Sequence, residues 1–436
     1  MKIKIEKMGI NGEGIGYDNR TPVFVDGALR NELVDINIIE RKKSYAFGKL
    51  NRVISKSKSR VNARCSYQGR CGGCPLMIMN YKEQLVSKKD LLKQSLIKYA
   101  HVNPRLINDV IGCDNIYNYR NQCKLPLAKV DNYLAAGMYV PNSNYFVEID
   151  KCIIHEKGLE IIKNQVLEIL NKYKYTAYDY KQKKGIRNII ARGFDNKYQC
   201  TIVSGEHPLS NECVNDIMAI DGMYSLWQSY NTNKKGVEIF GNKMILLGGQ
   251  RYLPFLLNDL KLEISPRSFF QLNTIQANVL YNTIDKFITK KYNLIVEAYS
   301  GIGAISLYLH NKANEIIGIE SIKDAVINAN ANAKANKIVN VKFVCDDAAN
   351  KLLYISKNRE IDLLVVDPPR SGLDDNMLVC ILNSRIKEIV YISCNPATLG
   401  KNLSVLSERY KVEKIQPVDM FPNTPHVECC VLLTRK

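Results

Sequence analysis

Nowhere in the 436 residues does an apolar run reach about 18, so no membrane span is expected. The N-terminus, MKIKIEKMGI, lacks the continuous apolar core of a secretory signal, and the expectation is a cytoplasmic protein. There is one Trp, so any stacking surface must be built from Tyr and Phe. Five His leave little choice among imidazoles. No internal repeat and no low-complexity tract is present. Acidic residues are outnumbered, 43 against 61 Lys and Arg, for a net charge of +18. That excess is spread along the chain and favours a polyanionic partner, because each phosphate contacted releases counterions. The length is too great for one core and implies two to four domains. Thirteen Cys are many, but the number is odd, and a reducing compartment makes disulfides a poor explanation.

Residues 1–56 alternate apolar and polar positions between turns and read as four or five short strands, the pattern of a small β-barrel. A polar, basic linker follows at 55–60, then a Cys- and Gly-rich stretch at 61–80. Residues 81–100 carry apolar side chains at helical spacing. Mixed strands and helices are expected from about 105 to 255. From about 290 the pattern becomes strand, glycine turn, helix, strand. Buried strands are expected at 293–298, 314–320, 341–345, 361–367 and 388–394, which together describe a doubly wound parallel sheet.

The first of these strands ends in Glu297 and runs into Tyr299-Ser300-Gly301-Ile302-Gly303. Two glycines let a backbone turn tightly against a ligand at a helix N-terminus. The next strand ends in Glu320, placed to accept both hydroxyls of a ribose. The third glycine of the dinucleotide fingerprint is missing, which points away from NAD and toward S-adenosylmethionine. The fourth strand ends in Asp367-Pro368-Pro369-Arg370 and the fifth in Ser393-Cys394-Asn395-Pro396, at the edge where such sheets bind ligands. Phe421-Pro422-Asn423-Thr424-Pro425-His426-Val427-Glu428 precedes a last apolar strand. A soft nucleophile and a carboxylate base are the minimum set for adding to an electron-poor ring and later removing a proton from it. Cys394 suits the first role and Glu428 the second; His426 is an alternative base or a loop residue. The spacing Cys65-x5-Cys71-x2-Cys74 favours zinc or an iron–sulfur cluster, with Cys152, Cys113 or Cys123 as the fourth ligand. It is not the spacing of radical S-adenosylmethionine enzymes. Cys200, Cys213, Cys345, Cys380, Cys429 and Cys430 read as core residues.

Taken in order, Cys65-x5-CysGlyGlyCysPro, SerProArgSerPhePheGln (265–271), TyrSerGlyIleGly, AspProProArg, SerCysAsnPro and HisValGlu resemble the RNA uracil-5-methyltransferase family over essentially the whole chain. The resemblance implies an α/β protein with three domains: a TRAM-like, OB-like RNA-binding barrel at 1–56, a mixed α+β domain bearing a cluster at 57–258, and a Rossmann-like S-adenosylmethionine-dependent methyltransferase sheet at 259–436. It implies a 4Fe–4S cluster on Cys65, Cys71, Cys74 and Cys152, and cofactor contacts from Gln271, Tyr299, Glu320 and Asp367. Phe269 resembles the aromatic that packs on a flipped base. Carbon 5 of uracil is a poor nucleophile. A Cys394 thiolate on carbon 6 would turn the ring into an enolate, and Glu428 would take the C5 proton before the thiol leaves. Two positions depart from the family pattern: Glu297 where Asp is commoner, and Ala304 where a polar residue is often found. The barrel and cysteine loop resemble the 23S ribosomal RNA branch, so a ribosomal uridine is the expected substrate and a transfer-RNA T-loop uridine the alternative. A monomer is expected. Arg370, standing where an adenine amino-methyltransferase wants an aromatic, disfavours that class. The full catalytic set disfavours a non-catalytic RNA-binding or redox-sensing protein.

Overall fold

Period-2 alternation in the first 55 residues produces β1 (Lys2–Met8), β2 (Gly14–Asp18), β3 (Thr21–Val25), β4 (Leu33–Arg41) and β5 (Ala46–Ser55). They close into a barrel in the order β1-β2-β3-β5-β4. One face of every strand points inward, so Ile3, Ile5, Val23, Val25, Val34 and Ile36 make a core almost shut off from water. The expected barrel is therefore present. The computed structural model describes residues 1–141, 143–233 and 238–436. Contacts divide the chain into two units: Met1–Ile116 with Asn282–Thr289 and Ala349–Lys436, and Tyr117–Tyr281 with Lys290–Ala348.

The first unit contains the barrel and the Tyr81–Ala100 helix, which covers the residues expected to be helical. Asn80 caps it by accepting from the Glu83 N–H, and it stops at His101, whose φ is +50°. Its buried stripe holds Leu91, Leu92 and Leu96 but also Gln84, Ser87 and Lys88.

The second unit is built on β6 (Gln122–Val130), β7 (Tyr133–Tyr139), β8 (Phe146–Glu148), β9 (Ile186–Phe194), β10 (Lys197–Ser204), β11 (Met223–Tyr230) and β12 (Lys243–Gly249). They lie in the order β12-β11-β10-β9-β6-β7-β8. The Lys157–Lys172 helix presses Leu159, Ile162, Val166 and Leu170 onto this sheet. A hairpin follows, β13 (Leu253–Leu257) and β14 (Leu260–Ile264). Then come β15 (Tyr292–Ala298), β16 (Ala313–Glu320) and β17 (Val341–Cys345), mutually parallel in the order β17-β16-β15. Parallel neighbours need crossovers, which the Ala304–Tyr308 and Lys323–Ala335 helices supply. Cys345 departs from expectation. It is exposed, because burial along β17 ends at Phe343 and the thiol lies past the covered part of the strand. The other five cysteines assigned to the core are buried.

The first unit resumes with β18 (Leu363–Val366), β19 (Glu388–Ser393), β20 (Tyr410–Val418) and β21 (Glu428–Arg435), in the order β18-β19-β21-β20. Strands β18 and β19 are parallel. Strand β21, the last apolar strand, runs antiparallel between β19 and β20. The 419–427 connection is too short for a helical crossover, so the chain can only turn back. Among the described residues no helix is long and apolar enough to cross a membrane.

Candidate active site

Register brings the expected nucleophile and base together. In the antiparallel ladder Ser393 pairs with Cys429, so the next step sets Cys394 opposite Glu428 on one face. In the parallel ladder Val366 pairs with Tyr391, and Asp367 follows at the same strand-end edge. Glu428 is 4% exposed, while Cys394 and Asp367 are half-buried. Burial, reinforced by Asp367 and opposed by Arg370, lifts the Glu428 carboxyl from 4.5 to about 8. Burial raises Asp367 to about 7. Burial and then the two carboxylates push the Cys394 thiol up to about 12, against the pull of Arg370. The Pro396–Leu406 helix begins just past the thiol, and its N-terminal dipole favours the thiolate. The site is a proton-rich cluster in which a nearby cation and a helix end oppose the cost of burying charge.

Asn395 joins the two loops. Its Oδ1 accepts from the Ala397 N–H at 3.1 Å, capping that helix, while its Nδ2 donates to the Arg370 carbonyl at 3.0 Å. Thr398 donates to the same carbonyl at 3.3 Å. The Arg370 side chain donates from Nη2 to His426 Nδ1 at 3.0 Å. A guanidinium has only donors, so Nδ1 must be the unprotonated nitrogen. Burial and the Arg370 charge lower His426 to about 4, which keeps the ring neutral and makes it a poor base beside Glu428. Sequence reasoning left Asn395 and Arg370 without roles. The signal available was their place directly after the Asp-Pro-Pro and Ser-Cys strand ends.

The expected cofactor residues of the second unit also lie at strand ends. Tyr299, Gly301 and Gly303 have φ of +66°, +54° and +81°. At Gly303 an added Cβ would lie 2.3 Å from the Phe343 ring, so both conformation and space require glycine. At Gly301 nothing lies within 4 Å, which leaves the loop backbone open to a ligand. Glu320 accepts from the Gly301 N–H at 3.0 Å and the Ile322 N–H at 2.8 Å, bridging the two strand ends. Ser300 Oγ is buried with no hydrogen-bond partner, a group for a ligand to satisfy. The glycine loop, the ribose-type acid and the orphan hydroxyl fit an adenosine-bearing cofactor. Glu297 is buried and accepts from the Ser306 N–H at 2.9 Å and from its hydroxyl, so this departure from the family pattern caps the Ala304–Tyr308 helix.

In the 265–271 segment Phe270 is buried against Phe255 and Phe194, while Phe269 is 64% exposed. The turn is fixed from below. Arg192, whose burial lowers its guanidinium to about 10, donates to the Ser268 carbonyl at 3.0 Å. Asn121 donates to the Gln271 carbonyl at 3.0 Å. The segment thus holds Gln271 buried and presents Phe269 to solvent.

Cys65, Cys71 and Cys74 share one loop with half-buried thiols, and burial pushes the Cys71 thiol up. Cys152 donates its N–H to Glu160 at 3.0 Å, and Glu160 is bound by His155 at 2.5 Å and Lys163 at 2.9 Å. Cys113 and Cys123, the other candidates for the fourth ligand, are buried. Among the described residues no three His, Cys, Asp or Glu side chains assemble a metal site. Thiolate donors have the softness a cluster wants.

Parallel strands with a glycine loop and a ribose-type acid at their ends are the architecture of an S-adenosylmethionine-dependent methyltransferase. Comparison with known proteins agrees. The family model of tRNA (uracil-5-)-methyltransferases matches residues 253–436, and the TRAM domain model matches 1–50. A Clostridium tetani protein described as an uncharacterized RNA methyltransferase is 37% identical over 439 residues, spanning 99% of this chain and 95% of its own. A Bacillus cereus protein so described is 37% identical over 443 residues, covering 100% of this chain and 96% of its own. The chain belongs to the RNA uracil-5-methyltransferase family. In fold it matches the Pyrococcus abyssi tRNA (uracil-54, C5)-methyltransferase, solved with S-adenosyl-L-homocysteine, at a TM-score of 0.80 and 24% identity over 100% of both chains.

Proposed function

We propose that this enzyme transfers a methyl group from S-adenosylmethionine to carbon 5 of a uridine in 23S ribosomal RNA, with Cys394 as nucleophile and Glu428 as base. The observation that carries the reading is the register that sets Cys394 opposite Glu428 beside Asp367. The cofactor supplies the sulfonium methyl; Gln271, Tyr299, Glu320 and Asp367 are the residues assigned to it. Cys394 gives up its proton to solvent as its sulfur adds to C6 of the uracil. Carbon 5 then takes the methyl. Glu428 removes the C5 proton, the C6–S bond breaks, and Cys394 regains a proton, so the net proton released is that of C5. Phe269, exposed within the 265–271 segment, is the stacking partner of the extruded base.

Fluorine at C5 cannot leave as a proton. Target RNA carrying 5-fluorouridine is expected to trap the enzyme covalently, and Cys394→Ala to abolish the trap. An adduct that survives that substitution, or none with the native enzyme, refutes the mechanism. The second reading is a T-loop uridine in transfer RNA, favoured by the name of the matching family model and by the substrate of the archaeal fold relative. Mapping 5-methyluridine in ribosomal and transfer RNA from cells lacking the protein separates the two. A 4Fe–4S cluster on Cys65, Cys71, Cys74 and Cys152 rests on thiolate spacing and family resemblance. Iron and sulfide quantification after anaerobic purification tests it, and stoichiometric zinc refutes it. The three-domain division at 1–56, 57–258 and 259–436 and a cytoplasmic monomer complete the reading.

A further inference from the structure

The connection from β20 to β21 runs from Asp419 to Val427 and delivers Glu428. Its polar groups are tied, inside the protein, to the Tyr81–Ala100 helix. Lys88 and Asp419 are both fully buried and form an ion pair. Lys88 Nζ also donates to the Phe421 carbonyl at 3.0 Å, and the Tyr81 hydroxyl donates to Asp419 at 2.8 Å. Gln84, 1% exposed, uses its whole carboxamide. Its Nε2 donates to the Leu76 carbonyl at 3.1 Å, the Met79 carbonyl at 2.9 Å and Asn423 Oδ1 at 3.3 Å, while its Oε1 accepts from the Asn423 N–H at 2.8 Å. Asn423 Nδ2 donates to the Ile116 carbonyl at 2.8 Å, and the Asn423 carbonyl accepts from the Leu76 N–H at 3.0 Å. Asn423 sits in the left-handed region, φ +69°, which Asn tolerates better than most side chains.

Stability does not account for this arrangement. A buried ion pair roughly breaks even against apolar residues of the same shape, and a buried polar network is costly wherever one member is unmet. What such a network supplies is one fixed path for the backbone, here leading into Glu428.

We propose that Gln84 is a positioning residue for the base, acting through Asn423. The pair fixes the Phe421–Val427 turn so that Glu428 enters β21 opposite Cys394. This rests on reading Glu428 as the base. The same carboxamide holds the carbonyls of Leu76 and Met79, just past Cys74, so one side chain keys the end of the cysteine loop to the base.

The test is Gln84→Leu in the full-length enzyme, assayed on RNA with natural uridine. The expected result is a kcat lower by about 10–100-fold, the loss a small misplacement of a catalytic group produces, with KM for RNA within about threefold. Removal of the C5 proton becomes the slow step, so a covalent enzyme–RNA adduct accumulates during turnover, which a merely destabilised enzyme does not show. Leu92→Ala, which opens a cavity on the same helix, lowers Tm and leaves the adduct level unchanged. Asn423→Gly keeps the left-handed turn while deleting the side-chain contacts, and gives the same signature if Gln84→Leu does not fold. An unchanged kcat, or a loss without adduct equal to that of Leu92→Ala, overturns the proposal. If the native enzyme forms no adduct on 5-fluorouridine RNA, the covalent reading with Cys394 as nucleophile has failed and the proposal falls with it.

Discussion

Replacing Glu428 by Gln separates what this residue does for the reaction from what it costs the fold. Its carboxyl is lifted from 4.5 to about 8, first by burial and then by Asp367. The native state therefore holds the proton more tightly than the unfolded chain. No penalty exists below about pH 4.5; it grows through the window from 4.5 to 8 and is complete above it. Each pKa unit is about 1.4 kcal/mol, so the ceiling is roughly 5 kcal/mol. A glutamine amide carries no charge but pays about 1–3 kcal/mol if its own polar atoms go unmet, which leaves a net gain on the order of 2 kcal/mol. At roughly 2–4 °C per kcal/mol, Glu428→Gln melts about 4–8 °C above the native enzyme at pH 8.5, and the advantage disappears at pH 5. The same variant cannot accept the C5 proton. On natural uridine it accumulates the methylated Cys394 adduct, visible as a protein–RNA band on a denaturing gel, while turnover falls by at least about 100-fold. Calorimetry across pH and the gel assay check the two halves. A Tm difference that does not change with pH, or a variant that turns over normally, refutes the reasoning.

The native enzyme's kcat is expected to rise with pH from about 6 to 9, because the Glu428 base must be unprotonated and the Cys394 thiol, pushed up to about 12, must lose its proton; Asp367, raised to about 7, titrates with the base, and the apparent values belong to the pair. A flat profile from pH 6 to 9 refutes this. Phe269→Ala, at a position 64% exposed, leaves Tm within a degree but weakens RNA binding by about 1–3 kcal/mol, measured by filter binding. Lys88→Met strands a buried Asp419 and costs about 3–5 kcal/mol in denaturant unfolding, and adding Asp419→Leu recovers much of the loss.

Local patterning made the barrel, the Tyr81–Ala100 helix and the strand ends legible. Alternation and helical spacing are properties of neighbouring residues, and glycine turns mark where strands stop. The Cys394 and Glu428 assignments came from strand-end position combined with chemistry, and the ladder register then set them opposite each other. The Gln84–Asn423 contact joins residues 339 apart, and no local pattern encodes such a pairing. A trace of it existed: Gln84 and Lys88 interrupt an apolar stripe, which marks a buried polar network in search of a partner. Cys345 was misread because a strand's sequence does not say where its neighbours stop covering it. No direction was read for β21, since apolar residues alone do not say which way a strand runs. The length of the 419–427 connection carried that information.

The pairing of β19 with β21 also makes activity a reporter of register. Side chains alternate across a strand, so a slip of one residue turns the whole set over. A slipped β21 would set Cys429 or Val427 opposite Cys394 in place of the carboxylate, and the molecule would be folded yet silent. In one of those slips two thiols face each other, and an oxidant could lock the error in place. Preparations refolded under air should therefore contain an inactive fraction that a reductant restores, and correct chain pairing becomes measurable as catalysis.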